Sequence, residues 1–326
     1  MIPCGRGFVW GCRMSRRTIG QEALKLSASE ASRRSSLDEI GSLIDWAPIG
    51  RRLDCIHSAA KGEPAWPPFA LFKALLIAVW HDLSDVKLAD ALEDRASFRR
   101  FCGFSTSEPT PERTTFVRFR KQLAAQGLDG VLFDDVTRQL KARAVTVKTG
   151  TLVDATVIAS ASEQDGEAAW SGHRRRKAVH GFKAHVGVDA ETAIVEALSI
   201  TPGNVHDGRA GHGALPDNPG DVYADSGYRG DAFTKAVLAK GGRPKVVLTS
   251  VWSRPSNDAV RKLRSWNGGV QRVRCRIEKV FGTWKRSYGL RRMRWRGLAK
   301  ANLQVRLTAI AYNLRRTATV LRCANA

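Results

Sequence analysis

VKTGTLVDATVI, residues 147–158, is where the hydrophobic pattern of the chain changes from period 3.6 to period 2. Leu152, Asp154, Thr156 and Ile158 alternate with Val153, Ala155 and Val157, and β-branched residues dominate. The stretch therefore reads as a strand. It places Asp154 among residues that would otherwise be buried. A carboxylate there is costly unless something compensates its charge, so the surrounding chain decides what it is for.

Downstream comes a Ser/Gln/Glu-rich loop and the basic run His173-Arg174-Arg175-Arg176-Lys177. HGFKAHVGVD and AIVEALSITPG then read as two strands joined by the hairpin signal Ala190-Glu191-Thr192. His180 and His185 fall on opposite faces of such a strand, which argues against a metal pair. Asp207 caps a turn, and residues 221–225 form a short strand ending on Asp225. Asp231 caps a helix to Lys240, stopped by Gly241-Gly242, and residues 245–249 are expected to form a further strand. A loop holding Trp252, Pro255, Asn257 and Gly268-Gly269 leads to QRVRCRIEKVFGTWK, residues 271–285, which reads as one helix. On it Val273, Ile277, Val280, Phe281, Trp284 and Tyr288 share an apolar stripe, and Gln271, Arg274, Glu278 and Lys285 a narrow stripe at its edge. This order of elements gives an α/β class: a mixed sheet with flanking helices.

Upstream the pattern is helical. Residues 37–60 are periodic, 69–80 form a strongly apolar helix containing Lys73, and Ser84 caps a short helix through Glu93. Residues 97–102 make a further turn. Thr110-Pro111 reads as a helix start, Gly127 ends that helix, and residues 128–143 form another. The expected organisation is a poorly patterned segment 1–36 with Met14 as an alternative start, an all-α DNA-binding or oligomerisation domain 37–145, a catalytic domain 146–316 and a tail 317–326.

The formal net charge is +22, supplied mostly by Arg, whose planar fork suits phosphate. A nucleic-acid partner is the first reading. No run is long and apolar enough for a membrane span. The six Cys are scattered without Cys-x-x-Cys pairs, which points to a reducing cytoplasm and away from a zinc module.

Asp154, Asp225 and Glu278 then form a candidate constellation, with the two aspartates on neighbouring strands and the glutamate on a helix packed over them. Each has a bland alternative. Asp154 bonds Thr156 or backbone, Asp225 forms a turn in Asp-Ser-Gly, and Glu278 pairs with Arg274 one turn away. Taken together, hard oxygen ligands suit magnesium or manganese, and two such ions serve phosphodiester displacement.

TLVDATVI, DVYADSGYRG and RVRCRIEKVFGTWK resemble the three acid-bearing blocks of the DDE transposases of bacterial insertion sequences, closest to the insertion-sequence-five family. HGFKAHVGVDAETAIVEALSITPGNVHD and the helical segment PPFALFKALLIAVWHDLSDVKLADALEDRASFRRFCGF resemble further blocks of that family. The resemblance spans roughly residues 37–316. It implies a ribonuclease H-like core, with Asp154, Asp225 and Glu278 as catalytic ligands of two magnesium ions, cleavage at element ends and strand transfer into target DNA. It also implies terminal inverted repeats as partner, a homodimer in the DNA complex, and a cytoplasmic, nucleoid-associated protein. Arg274, Glu278 and Lys285 match the last three positions of a tyrosine-arginine-glutamate-lysine signature, with Gln271 where the tyrosine stands. Arg274 and Lys285 are then expected to clamp phosphates. Arg291, Arg292, Arg294 and Arg296 are expected to track the DNA backbone, with Trp295 stacking on bases, while Leu303, Leu307, Ile310 and Leu314 form core. The competing readings are a non-catalytic DNA-binding remnant or domesticated copy, and a ribonuclease H-like nuclease that cuts without joining.

Overall fold

The computed structural model describes residues 17, 19–20, 35–56, 64–144, 148–173, 176–249 and 256–324. The alternative start at Met14, Arg174-Arg175 of the basic run, and Trp252 and Pro255 lie outside them. Among the described residues, seven helices precede the sheet: α1 (Ser36–Gly41), α2 (Ala47–Leu53), α3 (Pro68–Trp80), α4 (Asp85–Asp94), α5 (Ala96–Cys102), α6 (Arg113–Ala125) and α7 (Leu128–Ala144). Ser84 caps α4 as its sequence indicates, accepting from the Lys87 amide. The start at Thr110-Pro111 is displaced, because Glu112 is still extended and α6 begins at Arg113. α3 is buried on almost every side. Its Lys73 ammonium lies 4.7–5.2 Å from the ring centroids of Phe69, Phe101 and Trp46, so cation–π contacts replace part of its lost hydration.

The sheet is built from β1 (Gly150–Ala159), β2 (Ala169–His173), β3 (Arg176–Asp189), β4 (Val195–Pro202), β5 (Asp221–Ala224) and β6 (Arg243–Val246). Its order is β2-β3-β1-β5-β6, with β4 also on β3. β1 pairs antiparallel with β3 and parallel with β5, and β6 lies parallel to β5 at the edge. The sheet is thus mixed, as expected, but three strands differ from expectation, and one of them, β3, starts at Arg176 rather than at His180. β2 arises from five residues with no clean alternation. β6 starts earlier than residue 245 and contains Pro244, which an edge strand tolerates.

After the sheet's crossover pieces α8 (Asp207–Ala210) and α9 (Asp231–Ala239) come α10 (Asn257–Arg274), α11 (Ile277–Arg286) and α12 (Leu298–Ala324). His206 and Gly230, not Asp207 and Asp231, occupy the N-cap positions of α8 and α9. Gly268-Gly269, expected in a loop, lie inside α10. Each glycine weakens a helix interior by about 1 kcal/mol. The preceding residues are pinned to the sheet: Trp266 Nε1 donates to Val246 O at 3.0 Å, and Asn267 bonds both the amide and the carbonyl of Leu248. The expected single helix 271–285 is two helices broken at Cys275-Arg276. There Arg276 N and Glu278 N make tightened i→i+3 bonds, and the Arg276 side chain reaches Ala190 O at 3.0 Å. Residues 317–324, expected as tail, continue α12 and bury Thr317 and Ala318.

The two faces of the sheet are covered separately. Leu152 and Ile158 belong to a core shared with α11, α12 and the N-terminal helices, whereas Val153 packs with Val222, Tyr228, Phe233 and Val237. Leu303, Leu307, Ile310 and Leu314 are all buried in the first core.

Asn313 of α12, fully buried, accepts from Val195 N at 2.9 Å and donates to Val195 O at 2.7 Å. It thus serves as a one-residue strand partner on the open edge of β4. Asn313→Ala would leave both backbone groups unpaired, each costing about 1–3 kcal/mol. A loss of roughly 2–4 kcal/mol in urea unfolding is expected, and a change under half a kcal/mol would refute this role.

Candidate active site

The parallel pairing of β1 with β5 stops at Val153 opposite Ala224. Asp154 and Asp225 are the next residue on each strand, so both carboxylates stand where short β5 ends beside long β1. Strand ends of this kind are where open α/β sheets build their sites. Asp225 is extended and caps the following 3-10 turn, its Oδ1 accepting from Gly227 N at 2.8 Å. Asp154 Oδ1 accepts from Ala155 N at 2.9 Å, and its Oδ2 receives Arg274 Nη1 at 2.6 Å. The bland readings of both aspartates, backbone and turn bonds, are therefore real contacts that coexist with their juxtaposition.

Burial pushes the Asp154 carboxyl up to about 6; Arg274 opposes that rise, while Asp225 and Asp207 add to it. Asp207 is a third carboxylate that sequence reasoning treated only as a cap. A Cβ on Gly227 would stand 3.0 Å from Asp225 Oδ1 and 3.4 Å from Asp207 Oδ2, so the two acids flank that glycine. Lys183 Nζ holds Asp207 at 2.9 Å. Fully buried His185 lies behind, with Nδ1 4.0 Å from Asp207 Oδ1 and Nε2 3.0 Å from Thr201 Oγ1. Burial lowers the His185 imidazole to about 4, so it is neutral at physiological pH. Spacing within the GNVHD segment was the available signal for Asp207, and nothing local distinguished it from a turn former.

Glu278 is exposed in the first turn of α11. Arg274 bonds Asp154 rather than Glu278, so charge relief between those two is not its role. The break at Cys275-Arg276 interrupts the single helix on which Arg274 and Glu278 were expected to share a stripe. Among the described residues, no three His, Cys, Asp or Glu side chains converge closely enough to hold a metal ion. The structure brings together Asp154, Asp225 and Arg274, and Glu278 stands exposed in the first turn of α11.

Gln271 is exposed on the last turn of α10, and Lys285 is half-buried on α11. The 291–296 stretch acts as a strap. Arg291 Nε donates to Lys285 O, and Arg292 donates to Ser160 O and Ala161 O at 3.0 and 2.9 Å. Arg294 binds Asp82 and Leu83 O, and Arg296 reaches Ser162 Oγ at 3.0 Å. Trp295 is half-buried beneath Arg120, whose guanidinium carbon is 4.3 Å from the indole centroid. Arg120 itself forks onto Asp85. This indole is thus committed to joining the helical region to the strap, and stacking on a base would require it to leave Arg120.

Residues 146–314 match the family described as Transposase DDE domain, and residues 25–122 match the family described as Transposase domain (DUF772). The chain belongs to the DDE transposase family, and DNA transposition is its function in that general sense. No solved structure matches it. Among the described residues no helix is long and apolar enough to cross a membrane.

Proposed function

We propose that this chain cuts the ends of a DNA element and joins them to target DNA, with Asp154 and Asp225 at the centre of the reaction and a ribonuclease H-like core as scaffold. The observation that carries the reading is the pair of carboxylates at the ends of adjacent parallel strands in a chain of this family. Both are all-oxygen donors, and burial makes the charge on Asp154 costly even with Arg274 beside it, so the pair fits a hard divalent cation, magnesium or manganese. When bound there, such ions supply Lewis-acid stabilisation of phosphoryl and leaving oxygens. The protein's own groups do the rest. Asp225 is oriented by the Gly227 amide, Lys183 steadies Asp207 beside it, and Arg274 lies within reach of a phosphate beside Asp154. Glu278, in the first turn of α11, is the third carboxylate of this reading. Lys285 and Gln271 line the same approach, and a homodimer on paired inverted repeats is the assembly the reading implies.

The test is a cleavage and joining assay on duplexes taken from the DNA flanking the reading frame. Magnesium-dependent nicking and joined product, both abolished by EDTA and by Asp225→Ala or Glu278→Ala, are expected. Cleavage without joining favours a simple nuclease. Joining by Glu278→Ala at the wild-type rate would remove Glu278 from the site.

A further inference from the structure

The basic run in residues 173–177 has no part in the site just described, yet the strands that flank it have a distinctive place in the fold. β3 is much longer than its neighbours. Residues 182–188 pair with β4 and residues 181–189 with β1. Beyond them β3 pairs with β2, with Trp170 opposite His180 and Ser171 opposite Val179, up to His173 opposite Arg176. β2 and the first part of β3 therefore project past the sheet as a two-stranded ribbon. Between Glu167 and Asp189 there is no acidic residue, whereas residues 174–177 are all Arg or Lys.

The ribbon also carries the most exposed tryptophan of the described chain. Trp170 is 54% exposed. Its indole is backed by the His180 ring at 5.4 Å between centroids, and His180 Nδ1 is held by Ser160 Oγ at 2.9 Å. A single exposed aromatic is ordinary on a protein surface, but on a strand beside a basic run its open face also offers a stacking platform to nucleic acid. Lys177, Ala178 and Gly172 around the tip are exposed as well. At the foot of the ribbon, Arg292 and Arg296 dock on residues 160–162. The nearest acids of the preceding loop are turned away from that surface, because Asp165 and Glu167 accept from the amides of Gly297 and Leu298 at the start of α12.

We infer that the β2–β3 ribbon is a duplex-DNA contact arm, with Lys177 on phosphate and the open face of Trp170 against sugars and base edges. A two-stranded ribbon fits the B-DNA major groove, and the charge has the sign that phosphate requires. The path is continuous with the candidate site: Ser160 follows Asp154 by six residues on an extended strand, about 20 Å at ~3.3 Å per residue. That is roughly half a turn of duplex, so DNA seated at Asp154 and Asp225 and running along β1 meets the ribbon. The inference rests on the DNA-cutting reading above.

Binding is measured by fluorescence anisotropy with the full chain and a labelled duplex from the DNA flanking the reading frame. Trp170→Ala is expected to weaken binding by roughly tenfold. Lys177→Glu is expected to weaken it similarly and to lower the slope of log affinity against log salt by about one. Both variants should melt with the wild type, as exposed positions allow. A photocrosslinking residue at Gly172, where a Cβ meets nothing within 4 Å, is expected to attach to the duplex. Wild-type affinity and salt slope in both variants, together with no crosslink, would overturn the arm while wild-type binding and cutting left the DNA reading intact. A wild-type chain that bound no duplex would overturn both.

Discussion

Asparagine at Asp154 is expected to abolish strand cleavage and, at about pH 8, to make the protein more stable by about 1–3 kcal/mol. The two effects share one cause. Burial raises this carboxyl from 3.8 to about 6 even with Arg274 beside it, and its side chain is only 17% exposed. The folded state therefore binds the Asp154 proton more tightly than the unfolded chain does. Stability from that proton is fully present below pH 3.8 and lost as pH rises through about 6. Each unit of difference is worth about 1.36 kcal/mol, and the contact Arg274 loses with the charge brings the net gain toward the lower end. Asparagine removes the titration. Wild type and variant should then unfold at similar urea concentrations near pH 4 and diverge through pH 6, the variant being the more stable. Magnesium at millimolar levels should narrow the gap by stabilising the wild type alone, because a ligand bound only to the native state adds to its stability. A variant less stable than wild type at pH 8 would contradict the account. A position where charge costs stability and the neutral isostere costs activity is the signature of a functional group rather than a structural one.

How much of this was readable beforehand differs from residue to residue. The strands that carry Asp154 and Asp225 were legible because strand periodicity is local, whereas the parallel pairing of β1 with β5 is set by the tertiary fold. The buried stripe Ile277, Val280, Trp284 and Tyr288 was legible for the same reason. The break between α10 and α11 was not, because the tightened backbone over Cys275 and Arg276 is stabilised by a carbonyl of the β3–β4 turn, distant in sequence. Trp295 was assigned to DNA from its basic neighbours, while its partner Arg120 comes from a helix distant in sequence. The most exposed tryptophan among the described residues is Trp170, on a strand too short and too polar to declare itself. Asp207 looks like any turn aspartate until Gly227 brings it alongside Asp225.

Replacing Arg274 with glutamine is expected to move two measurements in opposite directions. Both oxygens of Asp154 are occupied in this structure, Oδ1 by the Ala155 amide and Oδ2 by Arg274 Nη1 at 2.6 Å. A divalent cation at Asp154 has to displace that guanidinium or share the carboxylate with it. A unit charge about 4 Å away is worth up to ~4 kcal/mol at an effective dielectric of ~20, and partial exposure of this pair reduces it to about 1–2 kcal/mol. Arg274→Gln should therefore lower the metal concentration that half-saturates activity by about tenfold. That measurement belongs near pH 9, since losing Arg274 lets burial raise Asp154 further and a bound proton would mask the gain. DNA affinity should meanwhile fall roughly tenfold, because a charge-assisted contact to phosphate is lost. An Arg274 that served only to neutralise Asp154 would change metal dependence and leave DNA binding alone. A general loosening of the site would instead weaken both. Tighter metal with looser DNA is the outcome that requires Arg274 to exchange one anion for the other, covering Asp154 in the free protein and phosphate once DNA arrives.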